Sequence, residues 1–141
     1  MMIPWNKLRD AGGLCRDYPE IIREIYSDDA DIAFDCMINL LYECVTHQGT
    51  TYTVTPFVVQ VILQGVESIK HNRGEILGFL AFAHEYGDRN IRYGDGEREY
   101  LKSEGVVIPR CCDIIKSHMN TVVTLFDGSK NESYFRDKGF G

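Results

Sequence analysis

The stretch 56–68 constrains the fold more than any other. After Pro56 come Phe57, Val58, Val59, Val61, Ile62, Leu63 and Val66, interrupted only by Gln60, Gln64 and Gly65. A helix that is apolar nearly all round has to be covered on several sides, so it belongs at the centre of a helical domain. Its β-branched content would also suit a strand, but the length of the run and the proline at its head favour a helix. Upstream, Phe34, Met37, Ile38, Leu41 and Val45 recur at spacings of three and four, which predicts a helix over about 28–45 with those side chains inward. Between the two runs lies Thr46-His47-Gln48-Gly49-Thr50-Thr51-Tyr52. Gly49 is suited to the left-handed conformation common just past a helix end, while Thr55 offers an N-cap hydroxyl and Pro56 fits the first helical position. Two helices joined by so short a connection describe a packed αα-hairpin.

The rest of the chain supplies further helices. Asp17-Tyr18-Pro19-Glu20 opens a short one whose apolar positions are Ile21, Ile22 and Ile25, and Ser27-Asp28-Asp29 ends it. Ile76, Leu77, Phe79, Leu80 and Ala83 form the inward face of a helix over 73–86, and 87–96, with three glycines, is a loop. A short helix over 97–104 and a last one from Pro109 to about Phe126 follow. Residues 1–17, with Pro4 and Gly12-Gly13, read as an irregular lead-in, and 127–141 as a frayed polar tail. No strand pair with hairpin chemistry is visible. The expectation is a single all-α domain of five to six helices.

A helix ending in His47-Gln48-Gly49-Thr50-x-Tyr52, a short threonine-bearing loop, and Thr55-Pro56-Phe57-Val58 opening an apolar helix together resemble bacterial HEAT-like repeat domains. The resemblance continues through Arg73-Gly74-Glu75-Ile76-Leu77-Gly78-Phe79-Leu80 and covers about residues 28–87. It implies a right-handed stack of helical hairpins, in a short array with its own caps. It also implies that His47 and Tyr52, with Gly49 and Pro56, are structural fasteners of the loop.

Composition limits the function. With 141 residues, one domain is expected. Fifteen basic against twenty-one acidic residues leave a net charge of −6, unsuited to gripping phosphate backbones and attractive to a basic partner. No signal-like segment or membrane-length apolar run occurs, and five cysteines without a disulfide-scaffold spacing fit a reduced, cytoplasmic setting. The four histidines and five cysteines form no Cys-x-x-Cys, His-x-x-x-His or His-Glu-x-x-His pattern, so no metal or cofactor is expected. No nucleophile signature or phosphate-cradling glycine loop appears, and the chain is not read as an enzyme.

The remaining feature is acidic. Asp28, Asp31, Asp35 and Glu43 are spaced to share one helix face, with no lysine or arginine between them along it. Asp88, Asp95, Glu97 and Glu99 make a second cluster, diluted by Arg89, Arg92 and Arg98. Solvated acidic faces are common, yet such a face also suits a basic protein. Short helical-repeat proteins of this size are similar to immunity proteins of polymorphic or contact-dependent growth-inhibition toxin systems. That similarity implies stoichiometric occlusion of a basic toxin domain, such as a nuclease. Helical-repeat lyases and small-ligand chaperones imply a different outcome, a pocket lined by His84, Tyr86 and Tyr93.

Overall fold

A computed structural model of the chain describes residues 2–15 and 17–141. At its centre is α3 (Thr55–Gln64), where Thr55, Pro56, Phe57, Val58, Val59, Ile62 and Leu63 are all buried. Pro56 lies in the first turn, as its missing N–H requires. A 3-10 turn, Val66–Ser68, follows Gly65. The glycine is there for space: a Cβ at position 65 would come within 2.6 Å of the Tyr26 hydroxyl. Helix α4 (Arg73–Tyr86) matches the sequence expectation at both ends. Helix α3 packs on α4 and on α6 (Cys111–Ser117), and α4 is covered by α6 and by α8 (Lys130–Asp137). Around this core run α1 (Tyr18–Arg23), α2 (Ala30–Met37), α5 (Glu97–Ser103) and α7 (Met119–Val123).

The fold is mostly helical, with eight α-helices among the described residues, and the all-α expectation needs one correction. Two short antiparallel pairs are present: β1 (Arg9–Asp10) with β2 (Gly13–Leu14), and β3 (Thr46–His47) with β4 (Thr50–Thr51). The second lies in the segment read as a helix terminator. Gln48 and Gly49 take φ of 49° and 84°, both positive, as a two-residue type I′ hairpin demands. Gly49 is therefore a hairpin residue, and the helix before it has already ended at Val45. Glutamine at the first turn position, where asparagine or aspartate usually advertises such a hairpin, hid it.

The helix expected over 28–45 begins at Ala30, capped by Asp29, whose carboxylate accepts from the N–H groups of Asp31 (2.9 Å) and Ile32 (3.2 Å). Asp28 lies outside it. From Ile38 to Val45 the chain continues as a π-helix, in which bonds reach five residues back; the Thr46 N–H closes on the Leu41 carbonyl in that register. Phe34, expected inward, is 47% exposed, and the buried side chains are Ala33, Cys36, Met37, Leu40, Leu41 and Val45. This helix packs against the 3-10 turn Glu24–Tyr26, and the Cys36 thiol on its inward row donates to the Ile21 carbonyl (3.1 Å).

The 46–55 loop is fastened by threonines. Thr46 Oγ1 donates to the Leu41 carbonyl (2.7 Å), Thr51 Oγ1 to the Gly87 carbonyl (2.7 Å), and Thr55 Oγ1 to the Val45 carbonyl (2.7 Å). Thr53 Oγ1 donates to buried Glu97 (2.8 Å) and accepts from the Arg9 N–H (2.9 Å). His47 is half-exposed, its Nε2 3.9 Å from Glu43, and Tyr52 contributes partial packing against the core. Threonine hydroxyls thus make most of the side-chain hydrogen bonds that anchor the loop. Thr55 is also not an N-cap, since it accepts from the Tyr52 N–H (2.9 Å) three residues back.

The described residues at both ends of the chain form regular elements. The lead-in forms a 3-10 turn, Trp5–Lys7, and the first hairpin, with Leu8 fully buried and Trp5 stacked on Tyr18 at 5.5 Å. The tail expected to fray forms α8, capped by Ser129, with Phe135 and Phe140 buried. The last long helix is divided at His118, whose φ of −119° and ψ of 32° separate α6 from α7. All five cysteines are free.

Candidate partner-binding surface

The negative charge is concentrated in one part of the chain. Positions 17–45 hold eight carboxylates against one arginine, Arg23, while the other 112 residues carry thirteen acidic and fourteen basic groups. Essentially the whole excess sits on α1, α2, the π-helix and the turns that join and cap them. The same region of the fold exposes four large apolar side chains: Leu14 (57%), Ile21 (39%), Ile32 (45%) and Phe34 (47%). Of these, Leu14 and Ile21 line a common groove, and exposed apolar side chains that adjoin one another beside polar groups mark interaction sites.

Between these elements runs a groove of about 480 Å³. The first hairpin contributes Asp10, Gly12 and Leu14; α1 and the turn after it contribute Tyr18, Ile21 and Glu24. Asp35 and Cys36 come from α2, and Asn39, Leu40 and Cys44 from the π-helix. The lining is mainly apolar, and its charged members, Asp10, Glu24 and Asp35, are all acidic. Tyr18 donates to Asp10 (2.6 Å), which also accepts from the Gly12 N–H (2.8 Å) and so braces the hairpin against α1. Burial and this hydrogen bond together push the Tyr18 hydroxyl pKa well up, so it stays protonated as a donor. Burial likewise raises the Cys36 thiol to about 11 and the Cys44 thiol in the same direction, so neither is a thiolate near neutral pH.

The eight acidic residues singled out in the sequence do not form two exposed clusters. Asp31 and Asp35 are exposed on α2, and Glu43 is exposed on the π-helix. Asp28, ahead of α2, is ion-paired with Lys70, which holds its carboxyl below the usual range, so the row is not free of basic residues. In the second cluster only Asp95 and Glu99 are exposed. Asp88 accepts from the Cys111 N–H (2.5 Å) and the Cys112 N–H (3.1 Å), capping α6 from a distant loop. Glu97 is 5% exposed and accepts from Thr53 and from the Gly94 N–H (2.8 Å). Both are corrected from partner-facing acids to internal fasteners. Asp10 and Glu24 were missed; a surplus of acids across 17–45 was the available signal for Glu24, while Asp10 joins the groove only through the first hairpin.

The small-ligand trio is dispersed. The Tyr134 hydroxyl is hydrogen-bonded to His84 Nδ1 (2.6 Å), and the His84 ring sits against Phe135 and Phe140 at 5.8 and 5.7 Å. Burial and the neighbouring Lys138 charge lower the His84 pKa from its ordinary value. The Arg89 guanidinium lies over Tyr86 at 4.7 Å, and that of Arg98 over Tyr93 at 4.2 Å. Among the described residues, no three His, Cys, Asp or Glu side chains gather in a metal-binding arrangement. No described helix is long and apolar enough to cross a membrane.

Comparison with protein-family models, with curated proteins and with solved structures returned no match to this chain.

Proposed function

We propose that this chain is a protein-binding inhibitor of the immunity type, which neutralises a basic toxin domain by covering its active site. The observation that supports this reading is the acidic, apolar-bearing surface of residues 17–45, set on an otherwise charge-balanced domain. A toxin that cleaves nucleic acid needs a basic cleft, because its substrate is a polyanion. A surface of opposite sign is drawn to that cleft by long-range attraction, and its exposed apolar groups gain free energy once docked. Occlusion of this kind requires no chemistry from the chain itself. The proposal extends to architecture: the hairpin of the 30–45 helix with α3, followed by α4, is read as a short HEAT-like array whose outer helices carry the binding face.

The experiment is growth. If a toxin gene lies immediately upstream of the gene for this chain, cells expressing its toxin domain are grown with and without the chain. Protection at equimolar expression supports the proposal, and loss of viability despite abundant folded chain overturns it. The small-ligand reading has weaker support, since His84, Tyr86 and Tyr93 are each engaged by neighbouring side chains in different places.

A further inference from the structure

We infer that the groove between the first hairpin, α1 and the π-helix is the docking site for a basic amphipathic segment of the partner. In that segment, lysine or arginine side chains flank one or two large apolar ones. The inference rests on the protein-binding reading above and deepens it by naming the surface and the chemistry of its occupant.

Charge distinguishes this groove from its rivals. A larger cleft of about 560 Å³, lined by Phe57, Val106 and Val107, is rimmed by both Lys7 and Glu104, so it favours neither sign. A third, of about 320 Å³, sets Arg9 and Arg92 against Asp10 and Glu97 and is balanced. Among the described residues, only carboxylates supply charge to the 480 Å³ groove, and they sit beside exposed apolar side chains of Leu14 and Ile21. An apolar floor with an acidic rim is complementary to an apolar side chain carried between cations. Anchoring of one large side chain in a pocket ringed by polar contacts is how a few residues come to dominate an interface.

The backbone adds an independent reason. Residues 38–45, which supply Asn39, Leu40 and Cys44 to the groove, form a π-helix. Such segments are rare and frequently lie at functional sites. Here the wide turn is locked by the paired bonds of the Thr46 N–H and hydroxyl to the Leu41 carbonyl, and one of its faces is a groove wall.

The test uses the whole chain and a short fluorescein-labelled peptide in which two phenylalanines are flanked by lysines. Companion peptides replace every lysine by glutamate or both phenylalanines by serine. The lysine–phenylalanine peptide is expected to bind, and each companion to bind about tenfold more weakly or worse. Leu14→Ser with Ile21→Ser, and separately Glu24→Gln with Asp35→Asn, should each weaken the parent peptide about tenfold at unchanged melting temperature. Asp95→Asn with Glu99→Gln removes the same charge elsewhere and should leave binding as it was. Equal weakening by this control, or no weakening by the groove variants, would overturn the assignment.

A second readout needs no substitution. Cys44 lines the groove and Cys112 does not, and both are half-buried. Bound peptide should slow maleimide labelling of Cys44 several-fold and leave Cys112 unchanged; equal rates at Cys44 with and without peptide would contradict the site. The two proposals fail separately. A parent chain that gives no protection from the toxin removes the immunity reading, whatever the peptide results. Full protection by the Leu14/Ile21 variant removes the groove alone.

Discussion

Thr53 links three parts of the chain through one hydroxyl, accepting from the Arg9 N–H and donating to the Glu97 carboxylate. Thr53→Val keeps the shape and leaves a buried carboxylate and a backbone N–H each short of a partner. The expected cost is about 2–3 kcal/mol, read as a lower urea midpoint at unchanged slope; a midpoint equal to the parent's would show that Glu97 is satisfied elsewhere. His84 makes a pH prediction. Its folded pKa lies below the ordinary value of 6.5, so the unfolded chain takes up a proton first as pH falls. Stability should be full above about pH 6.5 and decline below it, levelling once the folded imidazole also protonates. His84→Phe should flatten that decline between about pH 6.5 and 5, with the carboxylate-driven loss beginning lower. A decline of unchanged slope in the variant would assign it to another group. At this scale the sequence was least legible. Glu97 and Asp95 look alike on paper, and only the fold buries one of them.

At the scale of elements, α1, α3, α4 and α5 were legible because each has a start signal, an apolar period or a bounding glycine. The second hairpin was not, because its turn pairs glycine with glutamine. Gly49→Ala should cost about 1–2 kcal/mol, since alanine at φ of 84° is strained. A thermal melt checks this, and an unchanged melt would mean the turn has rearranged. The π-helix was hidden for a different reason. Its apolar spacing fits an α-helix equally well, and the wider register comes from tertiary packing and the Thr46 closure. Helix α8 was hidden by its polarity, for Phe135 and Phe140 are among its few apolar anchors. Phe135, with no exposed surface, packs against His84, Tyr134 and Phe140. Phe135→Ala should therefore cost about 3–5 kcal/mol by urea denaturation. A frayed tail would make the same substitution nearly silent.

At the scale of the whole molecule, a charge-balanced helical body carries one strongly acidic flank, and that flank also holds several of the exposed large apolar side chains and the π-helix. Part of this was legible: Asp31 and Asp35 were named from helical spacing alone. The groove was not, because Asp10 and Leu14 come from a hairpin with no strong turn signal and reach α2 only through the fold. The central claim is that this flank binds a basic partner. It is tested most directly by the association rate of the chain with a basic toxin domain against which it protects cells, measured at low and at moderate salt. Electrostatic steering predicts a rate that falls steeply with salt. Replacement of Glu24, Asp31 and Asp35 by their amides should lower the low-salt rate about tenfold or more and flatten the salt dependence. An association rate independent of salt, or unchanged by those three substitutions, would contradict the account.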